Sequence, residues 1–118
     1  MKIPWLTEEE QKAIEKLDDL VLRVEKNDIN LHQSICNRLT EIYKAKNTDY
    51  GNSVSESYKE WGIISSVVRM DDKMRRIKQL VKHEPNVKSE TIEDTLLDLA
   101  NYSIMALMEL QKEGNSND

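Results

Sequence analysis

The sequence predicts an all-α protein, and three observations predict it. Phe is absent, Gly and Pro are scarce and 33% of the 118 residues are charged, a composition that suits amphipathic helices and suits a β-sandwich poorly. Apolar residues recur every three to four positions over most of the chain. Clusters of turn-forming residues divide the chain into segments with short connections. We therefore expect one four-helix-bundle-like domain over residues 1–118.

The first two helices are predicted from capping residues. Thr7 with Glu10 has the spacing of a capping box, and apolar residues follow it at helical spacing. Asp28 or Asn30 can cap a second helix. That helix is expected to end near Lys46, because the stretch "KNTDYGNS" that follows contains the Asn, Asp and Gly of an ordered turn.

The remaining elements are bounded by Gly and Pro. A short helix around Ser55–Trp61 is stopped by Gly62, and a long helix follows over Ile63–Lys82. The proline-containing "HEPNVKSE" is predicted to be a connection, and Ser89–Gln111 the last helix. The domain then divides into three segments: an N-terminal helix over 1–28, a core bundle over 29–112 and a disordered tail over 113–118.

Charge and composition narrow the function classes. The net charge of −5 argues against broad nucleic-acid binding. No apolar run reaches the roughly 20 residues of a membrane span, and the sequence shows no signal-peptide pattern. Cys36 is the only cysteine, which favours a reducing compartment, so we expect a cytoplasmic protein. The last helix is apolar on more than one side, which favours a homodimer or homotetramer.

Polar residues on the last helix suggest a metal site. Asp94, Asp98 and Asn101 fall in one narrow strip of an otherwise apolar helix. Carboxylates at positions i and i+4 can share one Mg²⁺. The alternative is a solvated face, or an ion pair with a neighbouring arginine.

The preceding helix offers complementary charges on one face. Arg69, Asp72, Lys73 and Arg76 follow each other at i, i+3, i+4 and i+7. Asp72 can add a carboxylate to the metal, while the three cations can hold phosphate oxygens. The spacing leaves open whether Asp71 or Asp72 points inward. The alternative is a salt-bridged exposed face.

Two further pairs are candidates near the predicted turn. Glu56 and Glu60 lie one turn apart and either complete the cation site or lie on the surface. Asp49 and Tyr50 can close over a ligand, with the Tyr50 ring stacking on a base. A plain turn explains Asp49 equally well.

The ordered set "KNTDYGNS", "RMDDKMRRI" and "IEDTLLDLANYSIM" resembles the nucleotide modification associated domain 1 family over roughly Ile35–Leu110. That family, common in phages and their hosts, looks like a branch of the MazG-like all-α nucleoside triphosphate pyrophosphatases. The resemblance implies a MazG-type oligomeric bundle that binds Mg²⁺, with Mn²⁺ as a substitute. It also implies a phage- or prophage-encoded protein in the bacterial cytoplasm.

The superfamily motifs carry over only in part. Asp98 matches the aspartate that closes the E-x-x-D motif, but Thr95 stands at the glutamate position and Asp94 lies four residues back. In the E-x-x-E motif, Arg69 and Asp72 have the spacing without both acids. These departures indicate a specialised branch.

The implied activity is cleavage of a (d)NTP or a modified nucleotide to its monophosphate and pyrophosphate. The expected metal ligands are Asp72, Asp94, Asp98 and Glu60. Glu60 or Glu56 would orient the attacking water, and Lys73 would neutralise the leaving group. The expected substrate contacts are Arg69, Arg76, Asn101, Tyr102, Asp49 and Tyr50. Two alternatives stay open: a nucleotide-binding or sequestering factor without turnover, and a helical protein-interaction module.

Overall fold

The computed structural model describes residues 2–50, 52–82 and 91–116, with side chains for 2–48, 52–82 and 91–115. These residues form four α-helices and no strand: α1 Glu8–Tyr50, α2 Ser53–Trp61, α3 Ile63–Lys82 and α4 Ile92–Ser116. The predicted all-α class is confirmed for this part of the chain. The predicted connection "HEPNVKSE" lies outside the described residues. None of the described helices is both long and apolar enough to cross a membrane.

The predicted break after residue 28 is wrong, because α1 is one continuous helix of 43 residues. Asn27, Asp28 and Asn30 are weak helix formers, but each costs only about 0.5 kcal/mol in a helix interior. The α1 sequence contains no Gly or Pro, and its apolar spacing continues past these residues. The same reasoning explains why α1 continues past Lys46 to Tyr50, where a turn was expected.

The start of α1 follows the prediction. The Glu10 backbone N–H donates to Thr7 Oγ1 at 3.2 Å, and the Thr7 hydroxyl donates to Glu10 Oε1 at 3.1 Å. Three glutamates occupy the first turn, where the helix dipole favours negative charge. The predicted N-cap at Thr7 is therefore confirmed, and Glu10 contacts the Thr7 hydroxyl instead of its backbone N–H.

A glycine separates α2 from α3. Gly62 has a φ of 72°, a conformation that side chains with a Cβ rarely adopt. Its N–H donates to Tyr58 O at 2.7 Å, and its carbonyl accepts from Ser65 N at 3.1 Å. One residue thus ends α2 and begins α3, as the sequence predicted.

The chain divides into two compact units, Met1–Arg38 and Leu39–Asp118. In the second unit, α3 packs mainly on α4, and α2 packs on both. The buried apolar side chains there are few: Leu39, Tyr58, Leu97 and Ala106. Small or polar residues complete the interior, namely Ser55, Ser66, Thr95, Asn101 and Glu109.

The inward face of α4 differs from the apolar stripe that periodicity suggests. Leu96 is 51% exposed and Ile92 39%, whereas Thr95 and Asn101 are buried. The aliphatic residues of α4 remain partly on its outer face.

The last turns of α4 are anchored to α2. The Tyr58 hydroxyl donates to Glu113 Oε2 at 2.7 Å. This hydrogen bond raises the pKa of the Tyr58 phenol above 10.0, and burial and the charges of Glu113 and Glu109 add to the shift. Because α4 continues to Ser116, the prediction of a disordered tail from residue 113 is wrong for residues 113–116.

Candidate functional site

An open pocket of about 310 Å³ lies within the second unit. It is bounded by the last turns of α1, the start of α2, and the middle parts of α3 and α4. Its lining residues are Tyr43, Lys46, Asn47, Asn52, Ser53, Val54, Arg69, Asp98, Asn101, Tyr102 and Met105. We call it the α1–α4 pocket. It brings together four residues predicted from the sequence, on α3 and α4, with side chains of α1 and α2 that were not predicted.

Asp98 is held by two lysines from two different helices. Lys46 Nζ on α1 lies 2.7 Å from Asp98 Oδ1, and Lys73 Nζ on α3 lies 3.5 Å from Oδ2. The Asp98 side chain is 25% exposed and that of Lys73 is 23% exposed. The carboxylate on this apolar helix is therefore compensated by opposite charges, and it links α4 to both α1 and α3.

Arg69 and Lys73 both lie against the Tyr102 ring. The distances from the Arg69 guanidinium carbon and from Lys73 Nζ to the ring centroid are 5.9 Å and 6.0 Å. Arg69 also donates to Ser57 Oγ at 3.1 Å, which fixes its position next to α2. These contacts hold two cations against the same aromatic ring of α4. Two lysines thus pair with Asp98, and Arg69 adds a third positive charge to the lining of the same pocket.

The N-terminus of α2 opens onto the same pocket. The first helical hydrogen bond runs from Glu56 N to Asn52 O at 3.1 Å, so the preceding amide groups of α2 make no such bond within the helix. Asn52 occupies the N-cap position without a side-chain capping bond among the described residues. Ser53 and Val54 line the pocket. Backbone N–H groups at a helix start favour an anion, so they add to the positive character of the pocket near α2.

Asn101 has a structural hydrogen bond at the floor of the pocket. Its Nδ2 donates to the Leu39 carbonyl of α1 at 3.1 Å, and the residue is buried. Asn101 therefore holds α4 against the last turns of α1. Its predicted contact with a sugar or base is untested, and its amide nitrogen is already used within the protein.

Asp94 caps α4 instead of facing the lysine-bound Asp98. Asp94 N donates to Thr91 Oγ1 at 3.0 Å, and Asp94 Oδ2 accepts from Thr91 N at 3.4 Å. This reciprocal pair is a capping box at the start of the helix. The side chain is exposed. The i, i+4 spacing of Asp94 and Asp98 suggested a shared metal ion, but the structure gives Asp94 a capping role instead.

The other predicted acids lie on the surface. Asp72, Glu56 and Glu60 are exposed, and Asp72 lines a shallow depression with Arg75 and Arg76. Asp71 is also exposed and accepts from Arg75 Nε at 2.8 Å. Neither Asp71 nor Asp72 is therefore the inward residue of α3. The side chains of Asp49 and Tyr50 lie outside the described part.

The described acids do not gather into a cluster of three around one point. Within residues 2–48, 52–82 and 91–115, no three acidic, histidine or cysteine side chains are close enough to hold a metal ion. Mg²⁺ takes six oxygen ligands, of which a protein often supplies only one or two carboxylates, with waters and substrate phosphates as the others. Here Asp98 already accepts from Lys46 and forms an ion pair with Lys73. The described arrangement suits an anion better than a divalent cation.

Sequence reasoning missed the contribution of α1 to the pocket. Leu39, Tyr43 and Lys46 follow each other at i, i+4 and i+7, so they share one face of α1 with Leu39 buried. That spacing was visible in the sequence. The role of α1 was missed because the helix was expected to end at Lys46 and because 52 residues separate Lys46 from Asp98 in the sequence.

The model of the nucleotide modification associated domain 1 family matches residues 46–110, just over half of the 118 residues. The chain belongs to this family. The matched region begins at Lys46 and contains Arg69, Lys73, Asp98 and Tyr102, so most of the α1–α4 pocket lies within the family domain. No curated protein and no solved structure matches the chain significantly.

Proposed function

We propose that this protein binds a nucleotide in the α1–α4 pocket and holds its phosphate groups with Lys46, Arg69 and Lys73. The observation that carries the proposal is that Lys46, Arg69 and the α2 N-terminus line one pocket, while Lys73 lies at its edge and pairs with Asp98. A phosphate group is the common ligand that favours both features. The family's description as associated with nucleotide modification agrees with this ligand class.

The size and composition of the pocket favour a mononucleotide. A volume of about 310 Å³ lies at the lower end of the range for small-molecule sites, roughly 300–1,000 Å³. Tyr43, Tyr102 and Met105 line it beside the cations, and they can contact the base or sugar. The net charge of −5 disfavours a long nucleic acid as the ligand.

Asp98 has a positioning role in this proposal. Its two oxygens hold Lys46 and Lys73 near the pocket when no ligand is bound. An incoming phosphate competes with Asp98 for the same ammonium groups. The carboxylate therefore lowers the affinity for anions, and the two lysines are already positioned for them.

Cleavage of a nucleoside triphosphate to its monophosphate and pyrophosphate is the second candidate. It is supported by Asp98, which stands where the MazG-like motif places its closing aspartate and lines the pocket. In this candidate the protein has the MazG-type fold and acts in the cytoplasm of a phage-infected bacterium. The described carboxylates do not form a cage for Mg²⁺, so the geometry of the pocket defines no chemical step for this candidate.

The first test is isothermal titration of the full chain with matched ligands. A nucleoside and its mono-, di- and triphosphate are titrated in EDTA, and a pyrophosphate assay is run separately with Mg²⁺ and Mn²⁺. We expect binding that strengthens with phosphate number and is absent for the nucleoside. Equal binding of nucleoside and nucleotide would refute the phosphate site. Pyrophosphate release that requires the metal would establish the second candidate.

A further inference from the structure

The first unit of the chain carries a stripe of large apolar side chains that are between about one third and two thirds exposed. Its members recur at steps of three or four along α1, except that Asp28 occupies the position between Val24 and Leu31: Ile14, Leu17, Val21, Val24, Leu31 and Ile35. Leu17, Val24 and Leu31 are 62%, 56% and 61% exposed. The 22 residues from 14 to 35 extend over about 33 Å of helix. We call this stripe the α1 seam.

The seam has the period of a coiled coil. Steps of three and four average 3.5 residues, which keeps one stripe facing a partner helix along its whole length. In heptad terms, residues 14, 21, 28 and 35 occupy position a, and residues 17, 24 and 31 occupy position d. The opposite face, position f, is polar: Lys12, Asp19, Lys26 and Gln33. This pattern fits a single helix as its partner.

We propose that the α1 seam pairs with the same seam of a second copy as an antiparallel coiled coil. The charges of α1 favour this occupant and this direction. Residues 8–19 contain six acidic residues and two lysines, a net charge of −4, whereas residues 23–38 have a net charge of +1. A parallel pair places the two −4 segments side by side. An antiparallel pair places each of them against the later part of its partner's seam, whose net charge is close to zero or +1, and so removes this repulsion.

Asp28 favours the same direction. It is the one charged residue at position a between residues 14 and 35. In a parallel pair, position a faces position a, so two Asp28 carboxylates would meet inside the seam. In an antiparallel pair, position a faces position d, and the two carboxylates are separated. The interface lies before residue 46, outside the region that the family model matches.

The first experiment measures the mass of the full chain by sedimentation equilibrium. Val24→Lys places a charge inside the seam, and Asn30→Lys places the same charge on the polar side of α1. Lysine has a higher helix propensity than valine, so α1 is retained, and circular dichroism checks this. We expect an assembly for the wild type and Asn30→Lys, and a dissociation constant raised roughly tenfold or more for Val24→Lys.

The second experiment measures direction with single spin labels at position f in a Cys36→Ser background. In an antiparallel pair, the distance between two labels at position 12 exceeds that between two labels at position 26 by about 20–40 Å, as the helix rise requires. Equal distances would overturn the antiparallel pair. A monomeric wild type would overturn the seam as an interface between copies, and it is also the result expected if the chain's own helices cover the seam. An assembly that Val24→Lys leaves unchanged would overturn it as well.

Discussion

The two units of this protein share the helix α1 and differ in what covers it. Leu31 in the first unit is 61% exposed, whereas Leu39, two turns later in the second unit, is 6% exposed. Both leucines belong to the same amphipathic pattern. Periodicity therefore identifies which face of a helix is apolar, and the surrounding chain decides whether that face is buried. The second unit buries its face and builds a pocket beside it.

The largest expected effect is the difference in unfolding free energy between a Leu→Ala substitution in the core of the second unit and one on the surface of the first. Leu97→Ala removes a side chain that is 8% exposed and should lower the free energy of unfolding by about 2–4 kcal/mol. Leu22→Ala removes the same atoms from a side chain that is 62% exposed, outside the α1 seam, and should cost roughly 0.5 kcal/mol or less. Urea unfolding measures both. Equal losses would contradict the division into a packed and an exposed unit.

Asp98→Asn tests the charges within the pocket. Removing the carboxylate frees Lys46 and Lys73 for a phosphate, so nucleotide affinity should rise roughly three- to tenfold. Isothermal titration in EDTA measures this change. The cleavage candidate predicts a different result, which is loss of pyrophosphate release in the presence of Mg²⁺. A weaker affinity in EDTA would show that Asp98 contributes a favourable ligand contact.

The two threonine N-caps allow the same substitution to be compared in the two units. Thr91→Ala removes the cap of α4 and should destabilise the second unit by about 1 kcal/mol. Thr7→Ala removes the cap of α1 in the first unit and should leave the unfolding midpoint of the second unit unchanged. Denaturation followed by circular dichroism distinguishes the two. A shift with Thr7→Ala would show that the two units unfold together.

The smallest effect is a dependence on pH. Because the folded protein raises the pKa of Tyr58, its phenol contributes stability below pH 10.0, and this contribution is lost as the pH rises through the folded pKa. Tyr58→Phe lacks this titration, so its free energy of unfolding should fall less steeply above pH 10.0 than that of the wild type. Unfolding measured across that range checks the slope. Parallel profiles would exclude Tyr58 as the titrating group.

Much of the fold was predictable because its signals are local. Gly62 marks the corner between α2 and α3, and Thr7 with Glu10 marks the start of α1. The predicted break near Asp28 failed because a weak helix former does not end a helix without Gly or Pro. Local sequence patterns therefore predicted where helices start or end sharply better than they predicted that a helix continues.

Candidate site residues could be predicted from their spacing along a single helix, but contacts between helices could not. Arg69, Lys73 and Asp98 were candidates from spacing, and the structure brings them to one pocket or its edge. Lys46 was missed because its partner is 52 residues away. Asp94 was assigned to a metal because spacing does not distinguish a ligand from a helix cap, and the Thr91 hydrogen bonds appear only in three dimensions.

The most direct test of the central claim compares two lysines on the same helix. Lys46→Gln and Lys44→Gln remove one charge each from exposed, ion-paired side chains two residues apart, and only Lys46 lines the pocket. Isothermal titration with the nucleotide that binds the wild type best should show a loss of roughly tenfold or more for Lys46→Gln. Lys44→Gln should bind as the wild type does. Equal affinities for the two variants would contradict a phosphate site in the α1–α4 pocket.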